Sequence, residues 1–319
     1  MKKKILRFLL WFTGIFLLLI VLFTTVLYLN QDKIKSAVLT EVNRMLAEPV
    51  SIKQIDVSLR KFPYASLAFS EVFSAGANSR KGDTLIYAQQ VYFEFNLWNV
   101  FSDDLSIHKI SLENGTAHII RPEKGTPNYQ IWREDSTSSS SLFTLEEVSL
   151  ENFKLFQYEG AINQTAAGFV SQLVFSGSFE SENFSITNSS TLILDSLVVD
   201  NYVYLKSVNA KTAFTLAGNS TNFQFTNGIL KLNNTEVDFA INIEPNGMAI
   251  LASKNNLDLG DFQELAATQN WGVPKKIDFD GRANLTFKGV FEDHKEPDVE
   301  VAFSTSSTTL SGYNNASIK

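Results

Sequence analysis

"VYFEFNL", residues 91–97, decides the fold. Val91, Phe93, Phe95 and Leu97 alternate with Tyr92, Glu94 and Asn96, and successive side chains of an extended chain point to opposite faces, so the stretch reads as a strand with one apolar face. The same period of two returns at Val148/Leu150, Phe153/Leu155, Leu192/Leu194, Leu197/Val199, Phe223/Phe225, Val237/Phe239/Ile241/Ile243, Ile277/Phe279, Leu285/Phe287 and Val299/Val301/Phe303. Asn-Gly, Gly-Asn and Asn-Asn pairs at 114–115, 218–219, 227–228, 233–234 and 246–247 supply turn chemistry between them. From Val50 onward the chain is therefore predicted to be mainly β, about fifteen short strands in a long antiparallel meander. Strands with one apolar face must bury it in a sandwich, close into a barrel, or line a groove around something apolar.

Two stretches interrupt the pattern. "STSSSS", Ser136–Ser141, has the composition of a flexible linker. "DFQELAATQNWGVP", beginning at Asp261, spaces Phe262, Leu265, Ala266 and Gln269 helically and stops at Gly272 and Pro274. It predicts a short helix near 261–270 between strands.

Ahead of the strands the character changes. Lys2, Lys3, Lys4 and Arg7 precede an uncharged run from Phe8 to Gln31, long enough to span a bilayer, which takes roughly 20 apolar residues. No small-x-small cleavage pattern follows, so a retained anchor over 8–29 is expected, with Trp11 and Tyr28 as interfacial aromatics. The basic cluster holds residues 1–7 in the cytoplasm and sends the remainder across the membrane. "QDKIKSAVLTEVNRMLAEPV" then places Ile34, Val38, Val42, Met45 and Leu46 at helical spacing, predicting a short amphipathic helix over about 32–47 that packs on the following domain or lies on the bilayer surface.

Composition excludes several functions. Absence of cysteine removes disulfide scaffolds, thiol nucleophiles and cysteine-ligated metals. Setting aside the four basic residues before the span leaves 23 Lys+Arg against 34 Asp+Glu, a balance that disfavours nucleic acid as a partner. Only three histidines occur. His108 and His118 fall in separate strand candidates joined by the Asn114-Gly115 turn, and His294 lies in a charged loop, with no third ligand at a characteristic spacing. The carboxylate pairs Asp103-Asp104 and Glu146-Glu147 neighbour strand starts, where solvated loop charges are expected. No catalytic, cofactor-binding or metal-binding residue is assigned, and the chain is expected not to be an enzyme.

The ordered series of segments resembles the AsmA family of Gram-negative envelope proteins. The span and helix are followed by Pro49-Val50-Ser51-Ile52, then by Phe62-Pro63 running through Val72, then by Ile107 to Trp132, with Gly125, Asn128 and Tyr129 as the usual Gly…Asn-aromatic ending. Departures are Glu48, where glycine-arginine is common, and Asn114-Gly115, where a proline is frequent. The likeness is good over residues 1–135 and diffuse beyond. It divides the chain into a module at 30–135, the Ser-rich linker at 136–141 and a repeated β-groove segment at 142–319. Pro49, Ile52, Phe62 and Pro63 are its motif residues.

The resemblance implies a long curved sheet forming an open, apolar trough like that of chorein-type, bridge-like lipid transfer proteins. Phe93, Phe95, Leu97, Val237, Phe239, Ile241 and Ile243 would line it, and phospholipid acyl chains would occupy it. A single-pass protein of the inner membrane, with its bulk in the periplasm and acting in lipid transport or outer-membrane lipid homeostasis, is the implied function. A non-catalytic factor assisting outer-membrane assembly through protein contacts is the alternative. Because the strand pattern still runs close to "SGYNNASIK", a fragment or an unusually short family member is expected.

Overall fold

The alternating stretches form strands in the computed structural model, which describes residues 50–58, 64–77, 84–96, 107–131, 143–179, 183–219, 221–272, 278–292 and 295–311, together with Thr25, Ser36, Thr40 and Leu46. Thirteen strands build one sheet in simple sequence order. They are β1 (Ser51–Ser58), β2 (Tyr64–Ala75), β3 (Thr84–Asn96), β4 (Ile107–Arg121), β5 (Phe143–Glu159), β6 (Gln164–Ser178), β7 (Phe184–Val199), β8 (Tyr202–Gly218), β9 (Phe223–Leu232), β10 (Thr235–Glu244), β11 (Gly247–Asp258), β12 (Asp278–Glu292) and β13 (Asp298–Ser311). One helix, α1 (Leu259–Thr268), connects β11 to β12, and a 3-10 turn, Gly160–Ile162, joins β5 to β6.

The predicted anchor at 8–29, the amphipathic helix at 32–47 and the Ser-rich linker lie outside the described residues, apart from Thr25, Ser36 and Thr40, which are helical, and Leu46, which is buried. Lys2, Lys3, Lys4, Arg7, Trp11, Tyr28, Pro49, Phe62, Pro63 and Leu97 lie outside them too. Among the described residues no helix is long and apolar enough to cross a membrane.

Three expectations about the strands are corrected. The meander is not antiparallel throughout, because β4 and β5 pair in parallel, Ile110 beside Val148 and Gly115 beside Phe153. A parallel neighbour requires the chain to cross back to the end where β4 began, and residues 122–142 make that return. Secondly, Asn114-Gly115 is not a turn: both residues lie inside β4, so His108 and His118 sit in one strand and do not face each other. Asn227-Gly228 likewise lies inside β9. Thirdly, Val148/Leu150 and Phe153/Leu155 belong to the single strand β5, and Leu192/Leu194 and Leu197/Val199 to β7. About fifteen short strands thereby become thirteen longer ones.

The physical reason is the same in most of these cases. Asn114, Asn152 and Asn227 hold φ of 56°, 56° and 52° within their strands, a left-handed conformation that asparagine tolerates. One such residue shifts the alternation by a position without reversing the chain. In β5, Val148 and Leu150 before Asn152 share a face with Phe153 and Leu155 after it. Phe153 packs against Gly115, where an added Cβ would lie 2.5 Å from the ring.

Apolar side chains collect on one face of the curved sheet. Leu67, Phe95 and Phe153 are 0% exposed there, within a cluster that also holds Phe69, Val91, Ile107 and Val170. Val208, Ala210 and Leu232 form a second cluster with Leu265 of α1. The other face carries cross-strand ion pairs, Lys109 with Glu147 and Lys288 with Glu300. Over β2–β5 that face is covered as well: Ser66, Ala68, Tyr92, Glu94, Ser111 and Ser149 are buried.

Candidate functional site

Directly paired residues on neighbouring strands share a face, so the register traces the apolar surface residue by residue. From Phe93 the row passes through Ile110, Val148, Phe175 and Asn188 to Phe214. The ring of Phe214 then meets Phe225 at 5.3 Å and Phe239 at 6.2 Å. Phe93 and Phe239, 146 positions apart in sequence, therefore line one continuous surface, and no charged side chain interrupts the row between them.

Six of the seven predicted lining residues are described. Phe95 is fully enclosed, and Phe93 is half-buried with its ring 4.9 Å from that of Phe69. Val237, Phe239, Ile241 and Ile243 are half-buried along one side of β10. Leu97 lies outside the described residues. Ile52, the one described residue of the four motif positions, pairs with Val72 and packs against the first apolar cluster.

Burial falls along this surface. It is complete for Leu67, Phe95, Ile107 and Phe153, partial for Phe93, Ile110, Val148, Phe175, Phe214, Phe225 and Phe239, and low on β13, where Val299, Val301 and Phe303 are exposed, Phe303 at 58%. A surface apolar on this scale yet increasingly uncovered is suited to holding an apolar guest rather than only to packing against itself.

Sequence reasoning missed the centre of the surface, Phe214, whose ring meets three others. Its strand reads Thr212-Ala213-Phe214-Thr215-Leu216, so small and polar residues on both sides obscured the alternation. Phe175 and Phe214 stand two strands apart, about 9.6 Å by strand spacing, yet their ring centroids are 6.5 Å apart. They lean together over Asn188. Beneath them the Thr212 hydroxyl donates to Asn188 Oδ1 (2.9 Å), Ser190 and Thr212 share a hydrogen bond (2.7 Å), and Asn188 Nδ2 donates to the Val174 carbonyl (3.3 Å). The polar trio is thus internally satisfied in an apolar setting, as burial requires.

Asn128, a resemblance residue, has a structural task. Its side chain accepts from Ile120 N–H (2.8 Å) and donates to the His118 carbonyl (2.7 Å), while its own carbonyl accepts from Ala77 N–H (2.8 Å). It ties the segment after β4 back along that strand and onto the end of β2. His118 itself points outward, its ring 5.8 Å from that of Phe156.

Comparison with curated proteins and with solved structures returned no match. The model of the AsmA family matches residues 1–191, well past the stretch where the motifs are recognisable by eye and into β7. As that match covers more than half of the 319 residues, the chain belongs to the AsmA family.

Proposed function

We propose that this protein holds phospholipid acyl chains on the apolar face of its sheet and takes part in lipid transport or lipid homeostasis of a Gram-negative envelope. It is read as anchored in the inner membrane by its N-terminal span, with the sheet in the periplasm, and as acting without catalysis. The observation that carries the reading is the continuous, uncharged surface from Phe93 to Phe239, apolar except at the hydrogen-bonded Asn188, half-covered along its aromatic centre and open at β13. Family membership supports an envelope role.

The test is lipid content. Full-length protein purified in detergent should release phospholipid in stoichiometric amount on extraction and in native mass spectrometry. Phe239→Glu places a charge where an acyl chain would lie, and an unpaired charge against hydrocarbon costs several kcal/mol. Co-purifying lipid should fall about tenfold or more, since about 1.4 kcal/mol already corresponds to tenfold. Asp238→Lys, on the opposite face and exposed, should leave it unchanged. Circular dichroism checks that both variants are folded. A folded Phe239→Glu protein carrying the wild-type amount of lipid would favour instead an assembly factor that works through protein contacts.

A further inference from the structure

Strand β8 outruns its neighbour. β9 ends at Leu232, opposite Ala210, so residues 202–209 have β7 on one side and no strand on the other. Such an edge would leave backbone groups unpaired. Asn233 takes two of them: Asn209 N–H donates to its Oδ1 (3.2 Å), and its own N–H donates to the Asn209 carbonyl (2.8 Å). The end of α1 takes two more. Lys206 N–H donates to Gln269 Oε1 (2.5 Å), and Trp271 Nε1 donates to the Tyr204 carbonyl (2.7 Å).

Between β8 and β12, α1 thus stands in for a missing piece of sheet wall. Inward, Leu265 packs with Val208, Ala210 and Leu232 of the apolar face. Beside it Tyr202, Val203, Tyr204 and Trp271 are exposed, Tyr202 at 77%. Neighbouring strands are held by ladders of backbone hydrogen bonds, whereas among the described residues two hydrogen bonds from side chains join this end of α1 to β8, with Leu265 packed beneath them. Opening the wall here disturbs far fewer interactions than unzipping any strand pair.

We propose that α1 is a side door: acyl chains enter and leave the apolar face between β8 and β12 when the Gln269 and Trp271 contacts release, with Tyr202, Tyr204 and Trp271 as the threshold. The proposal rests on the lipid reading above and adds the route.

The chain has no cysteine, so a cysteine pair can be joined without background. Full-length protein carrying Lys206→Cys and Gln269→Cys is linked by a short bis-maleimide with a reducible spacer. It is then mixed with phosphatidylethanolamine–phosphatidylglycerol vesicles containing a self-quenched, acyl-labelled phosphatidylethanolamine. Linked protein should take up the probe about tenfold or more slowly, as expected when a closed lid limits the rate, and reduction should restore the rate. Gln269→Ala should exchange several-fold faster than wild type. Equal rates before and after reduction, with normal circular dichroism, would show that chains bypass α1 and would overturn the side door while leaving the lipid reading intact. Absence of uptake by wild-type protein would overturn both.

Discussion

Asparagine at a left-handed backbone position serves two purposes in this chain. At Asn233 it turns the strand, as an Asn-Asn pair between alternating runs predicts; at Asn114, Asn152 and Asn227 it shifts the alternation inside a strand that continues. The asparagine chemistry is the same, because asparagine lowers the cost of positive φ in either setting. What differs is whether a neighbouring strand continues to pair on both sides, which no local window contains. Glu71 adopts the same conformation within β2, at φ 53°, and its Oε2 accepts from the Tyr87 hydroxyl on β3 (2.5 Å). That hydrogen bond, reinforced by burial and by the carboxylate charge, raises the Tyr87 pKa above its ordinary 10.0. With the folded-state value above the unfolded one, the associated stability is fully present below the unfolded phenol pKa and is lost as pH rises through the raised value. Absorbance at 295 nm, taken as the difference between wild type and Tyr87→Phe, should show Tyr87 ionising above pH 10.0. Glu71→Gln should bring the midpoint back toward 10.0; an unchanged midpoint would remove the carboxylate as the cause.

Among elements, α1 was legible from its spacing, although the helix begins at Leu259, two positions ahead of the expected start. Asp258 explains the difference. Its carboxylate accepts from Gly260 N–H (3.0 Å) and Asp261 N–H (3.2 Å), capping the helix directly at the end of β11. Asp258→Ala should therefore destabilise the protein by about 0.5–2 kcal/mol, and Asp258→Asn by much less, since an amide oxygen still caps. Denaturant midpoints measured at constant m-value would separate the two; equal losses would point to the Arg282–Asp258 ion pair (3.6 Å) as the larger contribution. The parallel pairing of β4 with β5 was not legible. Both strands have the same alternation that an antiparallel pair would show, and direction depends on where a 21-residue connection, residues 122–142, delivers the chain.

On the scale of the whole molecule, thirteen strands at about 4.8 Å make a sheet of roughly 60 Å, shorter than the roughly 70 Å that fifteen strands would give. The proposed orientation to a membrane rests on Lys2, Lys3, Lys4 and Arg7 ahead of the uncharged run. A reporter enzyme fused after Ser141 should be active only in an exported compartment, and cytoplasmic activity would reverse the proposed topology. The two-faced character of the sheet, the apolar side of β10 and the helix inserted between β11 and β12 were determined by the sequence itself, because period and composition are local properties that every strand or helix must satisfy wherever it sits. Tertiary structure alone decided that Phe93 and Phe239 share a surface, that Phe214 is its centre, that β4 runs beside β5 in parallel, and that Gln269 and Trp271 close a gap beside β8. Those outcomes depend on register and strand length accumulated across many neighbours, and one left-handed residue is enough to move a side chain to the opposite face.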